Sequence, residues 1–256
     1  MRGILFTSVF IGLLVMILWW DTCSFKKFDP LNEPELFVAV HIQNILGLSL
    51  LVNNNLFFSS AMIVVLQIPI MVPVFKREIM NRMYTPTVYF LARLLSNLIL
   101  QIFYPILMVT LFFFAVGTPI TWENTLYVYA VCIMLNIMAV TFAYFCGVFK
   151  DDENSARMVI NFFAAIWMLG TGIFSNINAS GFVKFLSWTS PMRYGVEVLF
   201  RRFSNDIPNK DLRKMLFDSF GYSYGLQVCF GVLFCFILLF VAGGLIVINV
   251  RNRKYL

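Results

Sequence analysis

Charge is what this sequence has least of. Among 256 residues, 19 are Lys or Arg and 13 are Asp or Glu, so charged side chains make up 12%. A soluble domain carries about 25%, and half that share cannot wet a globular surface. The deficit excludes an ordinary cytosolic enzyme, a disordered tail and a nucleic-acid binder, and the net charge of +6 reads instead as charge at a membrane surface. Histidine is nearly absent as well. His41 is the one example, so no Ser/His/Asp set is built around it, and it reads as an interfacial polar residue. The five cysteines, Cys23, Cys132, Cys146, Cys229 and Cys235, show no metal-ligand spacing. The phosphate-cradling pattern GxxxxGK[ST] does not occur, so residues 1–256 carry no visible energy source.

What is there is apolar: 60% of residues are hydrophobic, 17% are aromatic, and the mean hydropathy is +0.82. Six windows contain no Asp, Glu, Lys or Arg: residues 3–20, 36–75, 94–122, 124–149, 158–183 and 219–250. A helix crosses a hydrocarbon core of about 30 Å with about 20 apolar residues. Runs such as 106–116 (ILMVTLFFFAV) do not alternate as barrel strands do. The windows therefore predict six transmembrane helices. They also lack acidic pairs, which leaves a proton or sodium relay nothing to run on. Residues 1–20 resemble a signal peptide in length, but the run ends in Trp19, Trp20 and Asp21, an interfacial anchor with no small-residue cleavage site.

Orientation follows from the basic residues. A cytoplasmic N-terminus and six helices place Arg2, Lys76, Arg77, Arg82, Arg93, Lys150, Arg157, Arg251, Arg253 and Lys254 inside, and leave Lys26 and Lys27 in the short outer loops. The window 36–75 is too long for one span. A hairpin at Asn53, Asn54 and Asn55 is the alternative, but it sends the Lys76–Arg82 cluster outside. One span with a cytoplasmic exit near Pro69 and Pro73 is the reading that charge favours. Residues 184–218 are too polar to cross. They carry Val196, Leu199, Phe200 and Phe203 at helical spacing, which suits short helices lying against or dipping into the outer leaflet. Asn178 begins an N-glycosylation sequon on that side. No internal repeat is visible, and one membrane domain covers residues 1–256.

Three stretches then resemble a known family. Residues 75–93 (FKREIMNRMYTPTVYFLAR) resemble the first cytoplasmic loop and third helix of the G subfamily of ATP-binding-cassette (ABC) transporters. Residues 188–203 (WTSPMRYGVEVLFRRF) resemble its outer segment after helix five. Ile42, Gln43, Asn44, Gly47 and residues 57–60 (FFSS) resemble its second helix. The order and spacing agree along nearly the whole chain. The resemblance implies an all-α integral membrane fold, the six-helix type-2 exporter transmembrane domain. This domain has a cytoplasmic coupling helix and an extracellular re-entrant segment between helices five and six.

The same resemblance implies function. The chain is similar to the permease of a half-transporter, which pairs with a second half as a homo- or heterodimer and moves lipids, sterols or amphipathic compounds by alternating access. No cofactor belongs to the chain itself; ATP and Mg2+ sit on a nucleotide-binding domain. In the family that domain precedes the first helix, whereas here Met1 stands almost directly before it. The implied choices are a fragment, a separate ATPase subunit, or a non-transporting structural or assembly subunit derived from such a permease. Multi-pass insertion in the plasma membrane or an internal membrane is expected, with membrane lipids as partners and no nucleic acid.

By position in the motifs, Phe75, Arg77, Glu78 and Tyr84 fall on the coupling helix, with Glu78 pairing Arg77, Arg82 or a partner's cation. The substrate cavity falls on Asn55 and Phe58 of helix two and on Asn161, Ala165 and Met168 of helix five. Asn55 and Phe58 are three apart and share a helix face, and an amide beside an aromatic ring suits a flat amphipathic substrate. An asparagine in a membrane helix also bonds to neighbouring helices. Ile173 and Phe174, after Gly170, Thr171 and Gly172, occupy the place of an outer plug, though core packing explains them equally. Arg193, between Pro191 and Tyr194, is expected to bond helix ends or stack on a ring.

Overall fold

Residues 35–116, 122–149, 152–174, 177, 180–204 and 210–252 are described by the computed structural model, with Phe10, residues 12–14 and Ile17 near the N-terminus. Every regular element among them is a helix. In chain order these are α1 (Glu35–Val65), α2 (Ile68–Met80), α3 (Pro86–Gln101), α4 (Phe103–Val116) and α5 (Trp122–Phe149). Then come α6 (Glu153–Leu169), α7 (Gly181–Thr189), α8 (Pro191–Phe203), α9 (Lys210–Phe220) and α10 (Leu226–Asn252).

Four stretches are long and apolar enough to cross a membrane: Ile42–Val65, Pro86–Leu111, Trp122–Phe149 and Leu226–Val250. They correspond to the second, third, fourth and sixth uncharged windows. The first window, residues 3–20, lies almost wholly outside the described residues. In the fifth, α6 stops at Leu169 after 17 residues, about 26 Å at 1.5 Å per residue, and α7 takes up its last three residues. α1 runs unbroken through Asn53, Asn54 and Asn55, so the hairpin alternative does not form.

Proline sets the breaks. After α1 the chain turns at Leu66 and Gln67, and Pro69 opens α2, where its missing N–H costs nothing. Pro105 lies just past the irregular residue Ile102 that divides α3 from α4. Lacking an N–H, it cannot bond the carbonyl of Gln101 four residues back. That freed carbonyl accepts instead from Asn136 Nδ2 of α5 at 2.7 Å, so the break inside the span is satisfied by a neighbouring helix.

α5 is the axis of the bundle, packed by α1, α4, α6, α8 and α10. Its Phe142 anchors an aromatic cluster, with ring centroids at 4.7 Å from Trp167, 4.9 Å from Phe240, 5.8 Å from Phe163 and 6.2 Å from Phe57. Four helices thus meet on one ring. Lipid tails are as apolar as leucine, so close packing and interhelical hydrogen bonds hold such a bundle rather than exclusion of water. Glycines permit the closest approaches. A side chain at Gly195 of α8 would meet Leu135 of α5 at 2.6 Å, and one at Gly244 of α10 would meet the Phe90 ring at 2.6 Å.

Candidate functional site

The helix α2 carries Phe75, Arg77 and Glu78. It ends in a Schellman turn: Met83 N–H bonds Glu78 O at 3.2 Å, Arg82 N–H bonds Ile79 O at 2.9 Å, and Arg82 adopts a φ of 53°. The turn brings Tyr84 back over the α2–α3 junction. There Tyr84 stacks on Tyr89 with centroids 5.7 Å apart and planes at 12°, and Phe75 meets the same ring at 5.0 Å. Arg93 lies 5.6 Å over the ring, and the Tyr89 hydroxyl donates to Met71 O at 3.3 Å. Two of the sequence-predicted coupling residues are therefore clasped on Tyr89, which sequence reasoning did not single out although it stands in the same motif. Arg77 is exposed and Glu78 half-buried. Among the described residues Glu78 forms no ion pair with Arg77 or Arg82.

In the cavity set, Asn55 is held by protein. The Tyr104 hydroxyl of α4 lies 2.8 Å from Asn55 Oδ1 and 3.0 Å from Ser59 Oγ, and Ser59 Oγ donates to Asn55 Oδ1 at 2.9 Å. This is a cross-helix tie, and the adjacent polar residues extend it. Asn53 Nδ2 donates to Met192 O of α8 at 2.6 Å. Ser60 Oγ donates to Asn136 Oδ1, and Asn97 Nδ2 donates to the Tyr144 hydroxyl at 3.1 Å. A polar seam thus runs along residues 53–60 of α1 against α3, α4, α5 and α8. Phe58 packs against the core beside Phe57, ring centroids 5.6 Å apart.

On α6 the picture differs. Asn161 and Ala165 are exposed, and Met168 is half-buried. They share a face, four and three residues apart, with Met158, Phe162 at 63% exposure and Leu169 beside them. α1 and α6 are neighbours through the edge-to-face contact of Phe57 and Trp167 at 5.8 Å. The two helices expected to line a cavity are adjacent: Asn55 is tied inward to α4, Asn161 and Ala165 face out, and Phe58 and Met168 both pack partly on the core. Of the plug pair, Ile173 packs on the core and Phe174 is 56% exposed. Gly172 precedes them at a φ of 87°, a conformation glycine adopts without strain. Asn178 lies outside the described residues.

The helices α7 to α9 gather buried charged groups among the described residues. α8 is buried against α1, α5 and α10. Its N-cap, Ser190, accepts from Arg193 N–H and donates its hydroxyl proton to Trp167 O of α6 at 2.6 Å. Arg193, 1% exposed, donates to Ser187 Oγ at 2.9 Å and to Gly221 O at 3.1 Å, with Tyr224 beneath it at 4.9 Å. Sequence reading placed Arg193 in this structural role. It missed Glu197, four residues on and fully buried. Glu197 Oε1 accepts from Arg201 at 3.0 Å and from Tyr224 N–H at 2.9 Å, while Oε2 has no partner. Burial pushes this carboxyl above its ordinary range, against the opposing pull of Arg201 and Arg193. The sign available in sequence was the i,i+4 pairing of Glu197 with Arg201.

Among the described residues no group of His, Cys, Asp and Glu is arranged to hold a metal ion. The ABC-2 type transporter family matches residues 2–201 of this chain. No curated protein matches it.

Proposed function

The chain belongs to the ABC-2 type transporter family, a multi-pass permease component that works with an ATP-binding partner, and on that premise we propose a G-type half-transporter that exports lipids, sterols or other amphipathic compounds. In this reading the span 3–20 and α6 complete six helices, and α7 to α9 form the outer re-entrant segment. α2 is the coupling helix, pressed by Phe75 and Tyr84 against Tyr89 and presenting Arg77 and Glu78 to a nucleotide-binding domain that binds ATP and Mg2+. A second half covers α6, and the substrate passes between the two.

The observation that carries this reading is the outward face of α6. Asn161 is exposed there among Met158, Phe162 and Ala165. An amide facing hydrocarbon without a partner is costly, so this face is covered by protein or opens on a cavity. The exposed middle of α10, with Phe234, Leu238 and Leu239, is apolar and suits lipid, its exposed amides Gln227 and Asn249 standing near the helix ends.

Co-expression with an ABC ATPase domain tests the proposal by the rate of ATP-dependent efflux of a fluorescent lipid or dye. Efflux is expected to vanish when the partner's P-loop lysine is replaced. A stable native complex with no ATPase in it would overturn the transport reading in favour of a non-transporting assembly subunit.

A further inference from the structure

One cavity in the fold lies away from the α1–α6 face. Its volume is about 70 Å3, and it opens between α2 and α3 where α5 and α10 end. On α2 the lining residues Ile68, Met71, Val72, Phe75 and Lys76 follow a single helical stripe. Tyr89, Phe90 and Arg93 of α3 form the facing wall, and Val148 of α5 and Ile248 of α10 close the back. Gly147 lets α2 approach α5, since a side chain there would meet Ile68 at 2.9 Å.

The chemistry of this wall is divided. The interior is almost entirely hydrocarbon and aromatic, and the two cations stand among it as the only charged lining groups. Arg93 is exposed with its guanidinium over the Tyr89 ring, and Lys76 is half-buried. Glu78 is two residues beyond Lys76 and so off this face. Tyr84 and Tyr89 mark the headgroup level, where amphipathic rings collect. An apolar cavity of about 150 Å3 holds a benzene molecule; one half that size takes the end of an alkyl chain and excludes a hydrated ion. A free phosphate would find the cations but not use the cavity, and a zwitterionic lipid would use the cavity but offset its phosphate's attraction to the cations with its own ammonium.

We propose that this elbow binds one anionic phospholipid of the cytoplasmic leaflet, its acyl end in the cavity and its net-negative headgroup at Lys76 and Arg93. The site needs only the membrane placement of α3, α5 and α10, so it stands or falls independently of transport.

The test uses the full chain in nanodiscs of phosphatidylcholine containing phosphatidylserine with a photoactivatable group at one acyl end. Label is expected on peptides bearing Met71, Val72 or Val148. Carrying the same group on phosphatidylcholine, or replacing Lys76→Gln and Arg93→Gln together, is expected to reduce it about thirtyfold, given about 1 kcal/mol for each basic residue near an anionic surface. Val72→Phe, which fills the cavity, is expected to abolish it while the surface double variant keeps the wild-type unfolding temperature. Equal labelling by both lipids would overturn the proposal. So would label spread evenly onto the Leu238 and Leu239 stripe, which means annular lipid only, or displacement by millimolar inorganic phosphate, which means an anion site without a tail.

Discussion

At the scale of single residues, α8 concentrates buried polar contacts on two side chains, Arg193 and Glu197. Arg193 donates in two directions, to Ser187 and Gly221, from a fully enclosed position. Lysine has one compact head and cannot make both contacts. Arg193→Lys is expected to lower stability by about 2–3 kcal/mol, and Arg193→Met by more, since Glu197 would then keep Arg201 alone; thermal unfolding in detergent measures both. Glu197 adds a pH dependence. Its folded pKa lies above the ordinary carboxylate value of 4.5, so the folded state holds the proton more tightly than the unfolded chain. Stability is then greatest at low pH and falls as pH rises from that ordinary value through the raised one. Glu197→Gln is expected to flatten this slope, and a slope unchanged in the variant would assign it to other groups. Arg82 shows the opposite case, a side chain where glycine is favoured. At a φ of 53°, Arg82→Gly is expected to stabilise the turn by about 1 kcal/mol, read as a higher unfolding temperature.

At the scale of elements, the seam along α1 decides how the spans meet. Asn136 accepts from Ser60 and donates to the Gln101 carbonyl that Pro105 leaves free. Asn136→Leu removes both ties at nearly constant volume and leaves that carbonyl without a partner in hydrocarbon. A loss of about 1–2 kcal/mol is expected, read as a lower unfolding temperature in detergent. This seam also explains what sequence reading could reach. The spans were legible because charge is expelled from hydrocarbon, and the gaps in Asp, Glu, Lys and Arg mark them directly. The exit near Pro69 was legible because proline lacks an N–H. The Asn53 bond to Met192 was not, because it joins residues 139 apart and no local pattern specifies the pairing. Asn55 stood open between cavity and cross-helix roles for the same reason: an amide reads alike in both until its neighbours are placed. The short α6 was hidden because an uncharged window does not reveal where a helix stops, here at Gly170, which packs tightly on the Leu186 carbonyl.

At the scale of the whole molecule, the question is which outer face meets protein and which meets lipid. Exposure alone does not answer it, because Phe162 of α6 at 63% and Leu239 of α10 at 59% are equally uncovered. Polarity does. The α10 stripe is apolar through its middle, from Phe234 through Leu238 to Ile246; its exposed amides, Gln227 and Asn249, stand near the two ends of the helix, whereas Asn161 stands mid-way along α6. The α6 face sets Asn161 among its apolar residues, and a second half-transporter or an aqueous cavity satisfies both kinds of group. Single cysteines separate the two. With Cys23 and Cys235 replaced by serine, Phe162→Cys and Leu239→Cys are introduced one at a time and treated in native membranes with a short bifunctional maleimide. Phe162→Cys is expected to yield a cross-linked species of twice the chain's mass, or of the chain plus a heteromeric partner. Leu239→Cys is expected to react with a lipid-soluble monofunctional maleimide yet give no cross-link. Cross-linking through residue 239 alone would place the interface on α10 and turn the amide of Asn161 toward lipid. The polar logic that assigns α6 to the pairing face would then fail, and with it the cavity proposed between two halves.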